Sequence, residues 1–391
     1  MAKKKSAAEV KEAAQAKGKR VFTDDAVSTM VCKKYGDIVE EGNIVLEQLS
    51  GYETLSVSPI LDFALAKPGK KGGFKEGTVV IITGDPKTGK TTTALHFASK
   101  CQKLGKFIVY LNTEERLALN NFEGVKGLDA SKMKIVQSTD EKPIVTAEDY
   151  LNVLETYVKN TKNLVAIVDS TSNMVPKEEY DGEIRAGIRP GLPRLLSLFF
   201  KRTAGDIKRN KSIIILITHA ITDTNKKSLF APDTKADGGV MQQYQNQTNI
   251  LITGKGNWTA AGKSDDETGD PIGQKVWWKV VNSCTGGFPN TKAVGWLRYG
   301  IGIDEAQEIG FMAAELGVIT GQGWYTIQPL VDMRLDKPIA KWLKANEVNP
   351  EDEEAVTKFV KFQGMAKLTD FISKNDFIIP ILQEKIRELF A

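Results

Sequence analysis

The chain has 391 residues, 41% of them hydrophobic and 26% charged, which is enough for a globular core built from two or three structural units. No stretch approaches the roughly 18 to 20 consecutive apolar residues of a transmembrane helix, and the lysine-rich N-terminus lacks the apolar segment of a signal peptide. These features argue against a membrane-embedded or secreted protein, so the cytoplasm is the expected location. The three cysteines and two histidines lie far apart and form no zinc-binding spacing.

The net charge of +4 comes from the N-terminus. Residues 1–20 hold seven Lys/Arg and two Glu, which leaves 46 basic and 47 acidic residues in the rest of the chain. A basic tail of this kind is compatible with an arm that contacts nucleic acid, but a solubilising or partly helical extension is the commoner outcome. We therefore predict a flexible or helical extension over 1–34 and draw no function from its charge.

Beyond the extension, short runs at 43–46 and 55–57 have strand composition, and 58–66 reads as an amphipathic helix. From residue 78, apolar strand-like runs alternate with helical segments. The predicted strands are 78–83, 106–112, 133–138, 163–170 and 212–220, and the predicted helices are 90–104, 115–127, 147–160 and 192–208. Strict alternation of this kind predicts an α/β fold, with a mostly parallel sheet covered by helices on both faces.

The pattern changes after residue 239. The runs 247–256 and 274–283 flank a polar segment and predict hairpin strands that extend the sheet. Helical patterns follow at 305–319, 340–346, 353–362 and 379–389. We expect a core over 35–330 and a small α-rich C-terminal domain over 331–391.

The strongest motif is GDPKTGKT, which matches G-x-x-x-x-G-K-[ST] between a predicted strand and a predicted helix. Such a loop turns its backbone N–H groups toward phosphates, its lysine neutralises phosphate charge, and its final hydroxyl can ligate Mg²⁺. The predicted phosphate-binding residues are Gly84, Asp85, Pro86, Lys87, Thr88, Gly89, Lys90, Thr91 and Thr92.

A phosphate-binding loop needs an acidic group at the end of a neighbouring strand. The run LVAIVDS supplies Asp169, which we predict to hold Mg²⁺ through its water shell, together with Thr91. Ser170, the next residue, fits either a helix cap or a polar relay.

Polar groups also follow two other strands. Glu114 and Glu115 end the strand 106–112, where one of them could orient a water molecule for hydrolysis, or both could simply favour a helix N-terminus. His219 ends the strand 212–220; it is either a sensor of the γ-phosphate or an ordinary hydrogen-bonded histidine. These alternatives stay open on the residues alone.

Two long polar segments follow strands at this edge of the sheet. The first runs over 175–193 and its exit is basic, while the second, 220–239, is rich in Lys, Asp, Thr and Asn. They are compatible with a groove for single-stranded nucleic acid, although a solvated helix face explains the first charge run equally well. The candidate DNA-binding residues are Arg185, Arg189, Arg194, Lys201, Lys226, Lys227 and Phe230.

In this order the motifs resemble the RecA recombinases, and more closely the bacteriophage UvsX-type proteins than the bacterial ones. The resemblance extends from about residue 35 to the C-terminus and rests on YGDIVEEG, GDPKTGKTT, VYLNTE, VDSTSNMVPKEEYDGEI, LITHAI and LRYGIGIDEAQEIGFMAAELGVITGQGWYTI. It implies ATP and Mg²⁺ as cofactors, helical filaments on single-stranded DNA, double-stranded DNA as the pairing partner, and possible contacts with a loading mediator and a single-strand binding protein.

The resemblance also assigns roles to single residues. It selects Glu114 as the hydrolytic glutamate, places Phe122 over the adenine, and makes His219 the link between the γ-phosphate and the second DNA-binding loop. Arg194 and Lys201 match basic positions that follow the first loop. Gly238 and Gly239 match a glycine pair that closes the second.

One departure from the family stands out. Bacterial members carry two lysines after KVV that reach the neighbouring subunit's ATP, and this chain has Asn282 and Cys284 at those places. Lys279, Lys292 or a bound metal ion would have to supply the missing charge, or hydrolysis is slow.

The sequence therefore predicts a DNA-dependent ATPase that catalyses homologous pairing and strand exchange. A hexameric helicase of the same fold is the enzymatic alternative. A recombination paralogue that binds ATP without hydrolysing it, and serves as a scaffold, is the non-enzymatic one.

Overall fold

The computed structural model describes residues 24–36, 38–183, 191–222, 234–236, 247–259 and 270–391. The chain divides into two compact units, Met1–Tyr52 and Glu53–Ala391. In the first unit the described residues form helices α1, Asp24–Tyr35, and α2, Gly42–Ser50. The strand expected over 43–46 is therefore wrong. Val45 and Leu49 are four residues apart, a helical spacing, and a run of only four residues is too short to distinguish the helical period of 3.6 residues from the strand period of 2.

The second unit contains a large sheet with helices around it. Its strands are β1 Thr54–Leu55, β2 Phe74–Lys75, β3 Thr78–Gly84, β4 Phe107–Asn112, β5 Met133–Val136, β6 Leu164–Asp169, β7 Ile213–Thr222, β8 Thr234–Ala236, β9 Thr248–Thr259, β10 Pro271–Asn282, β11 Thr291–Arg298, β12 Gly302–Ile303, β13 Trp324–Thr326 and β14 Lys361–Gln363. Its helices are α3 Pro59–Leu65, α4 Lys90–Lys103, α5 Leu119–Glu123, α6 Ala147–Asn160, α7 Lys177–Asp181, α8 Leu192–Arg209, α9 Glu305–Glu315, α10 Gln328–Asp332, α11 Lys337–Ala345, α12 Glu353–Phe359, α13 Met365–Lys374 and α14 Ile378–Glu388.

The large sheet has the strand order β12-β11-β10-β9-β3-β7-β6-β4-β5, and β8 pairs with β7. All pairings from β9 through β3 to β5 are parallel, whereas β9, β10, β11 and β12 form antiparallel hairpins. The predicted α/β fold, with hairpin strands extending a mostly parallel sheet, is thus confirmed. Because parallel strands end at one edge, the residues after β3, β4, β6 and β7 meet there.

Apolar residues line both faces of the central strands. On one face Val80, Ile82 and Ile215 pack with helices α3 and α4, and on the other Val79 and Ile81 pack with α6 and α8. Alternate side chains of one strand thus enter different cores, which is why these runs are continuously hydrophobic. Burying one such Val or Ile side chain completely stabilises the folded state by about 1.5 to 3 kcal/mol relative to leaving it in water.

Helix boundaries follow local signals. Thr146 caps α6 by accepting the N–H of Asp149, whose carboxylate in turn accepts the N–H of Thr146. The helix expected over 115–127 is shorter than predicted and covers only Leu119–Glu123. Glu115 has a positive φ of 53° and Gly127 one of 79°, so neither end can continue a helix.

The C-terminal region is helical, as expected. Helices α9 to α14 share one hydrophobic cluster that includes Ile309, Leu330, Leu343 and Ile372. One part of the prediction is wrong here: the helix expected over 353–362 ends at Phe359, and Lys361–Gln363 pairs with Trp324–Thr326 as a two-stranded ribbon. No helix in the described ranges is long and apolar enough to span a bilayer.

Helix α9 carries two carboxyl groups in different environments, one buried and one half-buried. Glu308 is fully buried, and its Oε2 accepts the backbone N–H of Ile60, 3.1 Å away. Burial raises the pKa of Glu308 to about 8. Glu305 is also desolvated, but it accepts bonds from His96 (2.9 Å) and Lys100 (2.7 Å) on α4, and these partners bring the pKa of Glu305 down to about 2. The start of α9 is therefore bound to α3 and α4.

Candidate nucleotide-binding site

The phosphate-binding motif forms a tight turn between β3 and α4. Gly89, the N-cap of α4, has a φ of +93°, and a Cβ there would lie 2.4 Å from Leu297 Cδ1. A larger residue would be strained and would also clash, so this glycine is required for both reasons. Lys87 has a φ of +60° although it is not a glycine. The Thr88 hydroxyl closes the turn by donating to the Asp85 carbonyl at 2.8 Å.

Lys90 lies inside this turn. Its ammonium donates to the carbonyls of Gly84 (2.9 Å) and Asp85 (2.7 Å). Lys90 is 6% exposed, and burial lowers the pKa of its ammonium, although Asp169 and Glu114 oppose the shift. Both described hydrogen-bond acceptors of this ammonium are carbonyls, and no described carboxylate lies within ion-pair distance of it, so the geometry favours an anion such as a phosphate beside it.

Asp169 connects α4 to two strands. Its Oδ2 accepts the Thr91 hydroxyl at 2.6 Å and the Tyr110 hydroxyl at 2.7 Å. Burial raises the pKa of the Asp169 carboxyl, against which the two hydroxyl donors act. Burial likewise raises the pKa of the Tyr110 hydroxyl, which therefore stays a donor. The sequence motifs predict that Thr91 and Asp169 lie together, but they give no sign of Tyr110, which has the pattern of one more apolar residue in a strand.

Glu114 follows β4 and joins a second polar cluster. Its Oε1 accepts the Ser170 hydroxyl and His219 Nε2, each at 2.8 Å. Its Oε2 has one described partner, Arg116 Nη1, 3.6 Å away. The backbone N–H of His219 donates to the hydroxyl of Ser172 at 3.1 Å. Of the two glutamates, Glu114 is thus the one that contacts Ser170 and His219, whereas Glu115 accepts the backbone N–H of Ser138.

These groups surround one cavity of about 550 Å³ at the carboxyl edge of the sheet. Its lining includes Pro86 to Thr92, Tyr110, Asn112, Glu114, Arg116 to Ala118, Asn120, Asn121, Asp169, His219 and Gln274. Gln274 enters from β10, a contribution that sequence spacing did not reveal. Phe122 is not in this lining: it packs against the core cluster on the α3 and α4 side of the sheet. Its role over an adenine stays a prediction.

The candidate DNA-binding residues are only partly described. Arg194 and Lys201 are exposed on α8, seven residues apart and so on one face, and neither is paired with a described carboxylate. Arg202 instead contacts Glu155 at 2.9 Å. Arg185, Arg189, Lys226, Lys227, Phe230, Gly238 and Gly239 lie outside the described residues.

The positions that depart from the family lie on β10 and just after it. Asn282 ends β10, and Cys284 lies within 3.3 Å of the Thr248 hydroxyl. Lys279 of β10 stands directly opposite Lys292 of β11 in the antiparallel register. Like charges in this position repel each other, and no described carboxylate is paired with either.

Comparisons with known proteins agree with this geometry. Residues 26–304 match the family model of the RecA N-terminal domain. Protein RecA of Mesoplasma florum is 25% identical over 311 residues, which cover 79% of this chain and 83% of that protein. Protein RecA of Thermotoga neapolitana is 26% identical over 324 residues, 82% and 80% of the two chains, and that of Helicobacter acinonychis is 24% identical over 358 residues, 90% and 93%.

The family match covers well over half of the chain, and it includes every residue that surrounds the cavity. The strand order puts the phosphate-binding loop, the acidic strand ends and His219 at one edge, as the sequence predicted. The chain therefore belongs to the RecA family of ATP-dependent DNA recombination and repair proteins, which are DNA-dependent ATPases.

Proposed function

We propose that this chain assembles as a helical filament on single-stranded DNA and catalyses homologous pairing and strand exchange with double-stranded DNA. The observation that carries the proposal is the Glu114–His219 contact, because it joins the nucleotide cavity to the strand that leads into the second candidate DNA-binding segment. A site for ATP hydrolysis alone would not need this connection.

The residues present fit ATP with Mg²⁺. Pro86 to Thr92, which include the end of the loop and the N-terminus of α4, line the cavity, and Lys90 supplies a buried positive charge there. Thr91 and Asp169 offer only oxygen atoms, which Mg²⁺ prefers, and Mg²⁺ commonly takes one or two protein ligands and fills its shell with phosphate and water oxygens. When bound, the ion would neutralise charge on the phosphates.

Glu114 is proposed to orient the attacking water. Ser170 and His219 both donate to Oε1, so Oε2 is the oxygen with room to accept a proton or a hydrogen bond from water. Arg116, 3.6 Å from Oε2, is the described cation nearest to this oxygen and would help to orient the carboxylate.

His219 is proposed to report the nucleotide state to DNA. Its side chain contacts Glu114 in the cavity, and its N–H contacts Ser172 after β6. The two candidate DNA-binding segments follow Ser172 and His219 in the chain. A change at Glu114 on ATP binding would therefore shift the start of both segments, and the filament would bind DNA more tightly with ATP than without it.

Several finer assignments are part of the proposal. Lys279 and Lys292 would serve as the charge that faces the neighbouring subunit's nucleotide, since they are unpaired by described carboxylates and stand opposite each other. We also propose a cytoplasmic location, a likeness to UvsX-type phage proteins, and contacts with a loading mediator and a single-strand binding protein. These rest on the sequence resemblance.

The test is ATP hydrolysis with and without single-stranded DNA, with the same samples viewed by negative-stain electron microscopy. Stimulated turnover with helical filaments is expected, and Lys90→Ala should abolish turnover while Lys103→Ala, an exposed change at the other end of α4, should not. Closed rings would favour a helicase. ATP-dependent filaments without turnover would favour a scaffold.

A further inference from the structure

The antiparallel hairpin β9–β10 contacts the phosphate-binding loop. Lys255 of β9 extends its ammonium to the Lys87 carbonyl, 3.1 Å away. Its register partner on β10 is Val276, and two residues before Val276 lies Gln274, on the same face of the strand and in the nucleotide cavity. One face of the hairpin therefore carries both a donor to the backbone of the loop and a side chain that lines the cavity.

The Lys255 contact fixes the direction of a peptide group. A trans peptide is planar, so the C=O of Lys87 and the N–H of Thr88 point in opposite directions. By binding the Lys87 C=O, Lys255 fixes the direction of this carbonyl and therefore that of the Thr88 N–H, which points the opposite way. Backbone N–H groups aimed at one point are what a loop needs in order to bind phosphate.

The loop needs such a restraint at this residue. Lys87 has a φ of +60°, a conformation that a residue with a Cβ adopts at a cost of roughly 1 to 2 kcal/mol. Lys87 is exposed, so burial of its own side chain does not compensate this cost. The hydrogen bond from Lys255 to the Lys87 carbonyl offsets part of this cost.

We propose that Lys255 is a positioning residue that holds the phosphate-binding loop in its anion-binding conformation. This inference rests on the proposed nucleotide site and adds to it a group from a strand that no sequence motif connects with phosphate. Lys255 has no described carboxylate as a partner, so its ammonium is available to the loop. β9 also begins at Thr248, shortly after the second candidate DNA-binding segment in the chain.

The test compares Lys255→Met with Lys255→Arg, which keeps the donor. Lys134→Met, an exposed lysine in β5, is the matched control. Equilibrium binding of ADP and of inorganic tripolyphosphate is measured, since tripolyphosphate reports on the loop without a base. Lys255→Met should weaken both ligands about 3- to 10-fold, the effect of losing one hydrogen bond. Lys255→Arg and Lys134→Met should stay near the wild type, with melting temperatures unchanged.

Salt separates positioning from simple attraction between charges. A through-space effect of the ammonium would fade at 0.5 M salt, whereas a misdirected N–H would not recover. A deficit of Lys255→Met that disappears at high salt, or equal binding by wild type and Lys255→Met, would overturn this inference alone. A wild-type protein that binds neither ADP nor tripolyphosphate would overturn the proposed function and this inference with it.

Discussion

Replacing Glu308 by glutamine should make the stability of this protein less dependent on pH. Glu308 is fully buried beside Trp278 and Gly295, and burial raises the pKa of its carboxyl from 4.5 to about 8. Between these values the folded protein holds a proton that the unfolded chain has released. The free energy of unfolding of the wild type must therefore fall as the pH rises from about 5 to 8.

The size of the effect follows from the two pKa values. One pKa unit corresponds to about 1.4 kcal/mol, so Glu308 alone should lower the unfolding free energy by roughly 3 kcal/mol between pH 5 and 8. Asp62, whose pKa is raised by burial to about 7, adds a loss of the same sign that is largely complete by pH 7. Glu308→Gln should remove the contribution of Glu308 to this pH dependence and leave that of Asp62. The variant should keep the local fold, because the amide oxygen can still accept the N–H of Ile60.

The assay is urea unfolding at pH 5, 6, 7 and 8, followed by tryptophan fluorescence. Glu305→Gln, three residues away on the same helix, is the control, because the pKa of Glu305 is lowered where that of Glu308 is raised. The pKa of Glu305 is about 2, held there against desolvation by His96 and Lys100, so its contribution is complete above pH 5 and is lost only in acid. Glu305→Gln should lower stability by a similar amount at every pH from 5 to 8. A Glu308→Gln variant whose stability falls with pH as steeply as the wild type would refute the reasoning.

Three further predictions concern the site. Glu114→Gln should lower kcat for ATP by at least 100-fold while nucleotide affinity changes little, and retained turnover in an ATPase assay would exclude Glu114 as the group that orients water. Asp169→Asn should abolish Mg²⁺-dependent turnover yet leave the melting temperature of the nucleotide-free protein equal or higher, since burial raises the pKa of Asp169 and the charged carboxylate is costly there; a large drop in melting temperature would contradict this. Replacing Lys279 and Lys292 together by methionine should reduce DNA-stimulated turnover at least 10-fold without weakening ATP binding to the single subunit, and unchanged turnover would show that another group supplies the charge.

The parts of the fold that were predictable are those where one local pattern dominates. Strand β3 is buried on both sides, so its apolar run is continuous, and helix α6 has a capping threonine and a clear apolar face, so its limits Ala147–Asn160 were predicted to the residue. The phosphate-binding loop was predictable because its glycines, which allow the tight turn, and its lysine, which contacts phosphate, occur at a fixed spacing.

The parts that were missed depend on residues that are distant in sequence. Tyr110 donates to Asp169 from a neighbouring strand, and Gln274 reaches the cavity from a hairpin far along the chain. Strand β14 forms only because Trp324–Thr326 lies beside it. In each case the order of the strands decides which residues become neighbours. Strand order is a property of the whole sheet and cannot be predicted from a short stretch of sequence.

Helix α4 has a mechanical consequence. Lys90 at its first residue is buried in the nucleotide cavity, and Lys100, about 15 Å further along, donates to Glu305 at the start of α9. A helix of this length moves as a stiff rod, so a tilt or a slide at its first turn reappears at its last. A displacement at the nucleotide cavity would therefore be transmitted to the start of the C-terminal helices through one rigid helix.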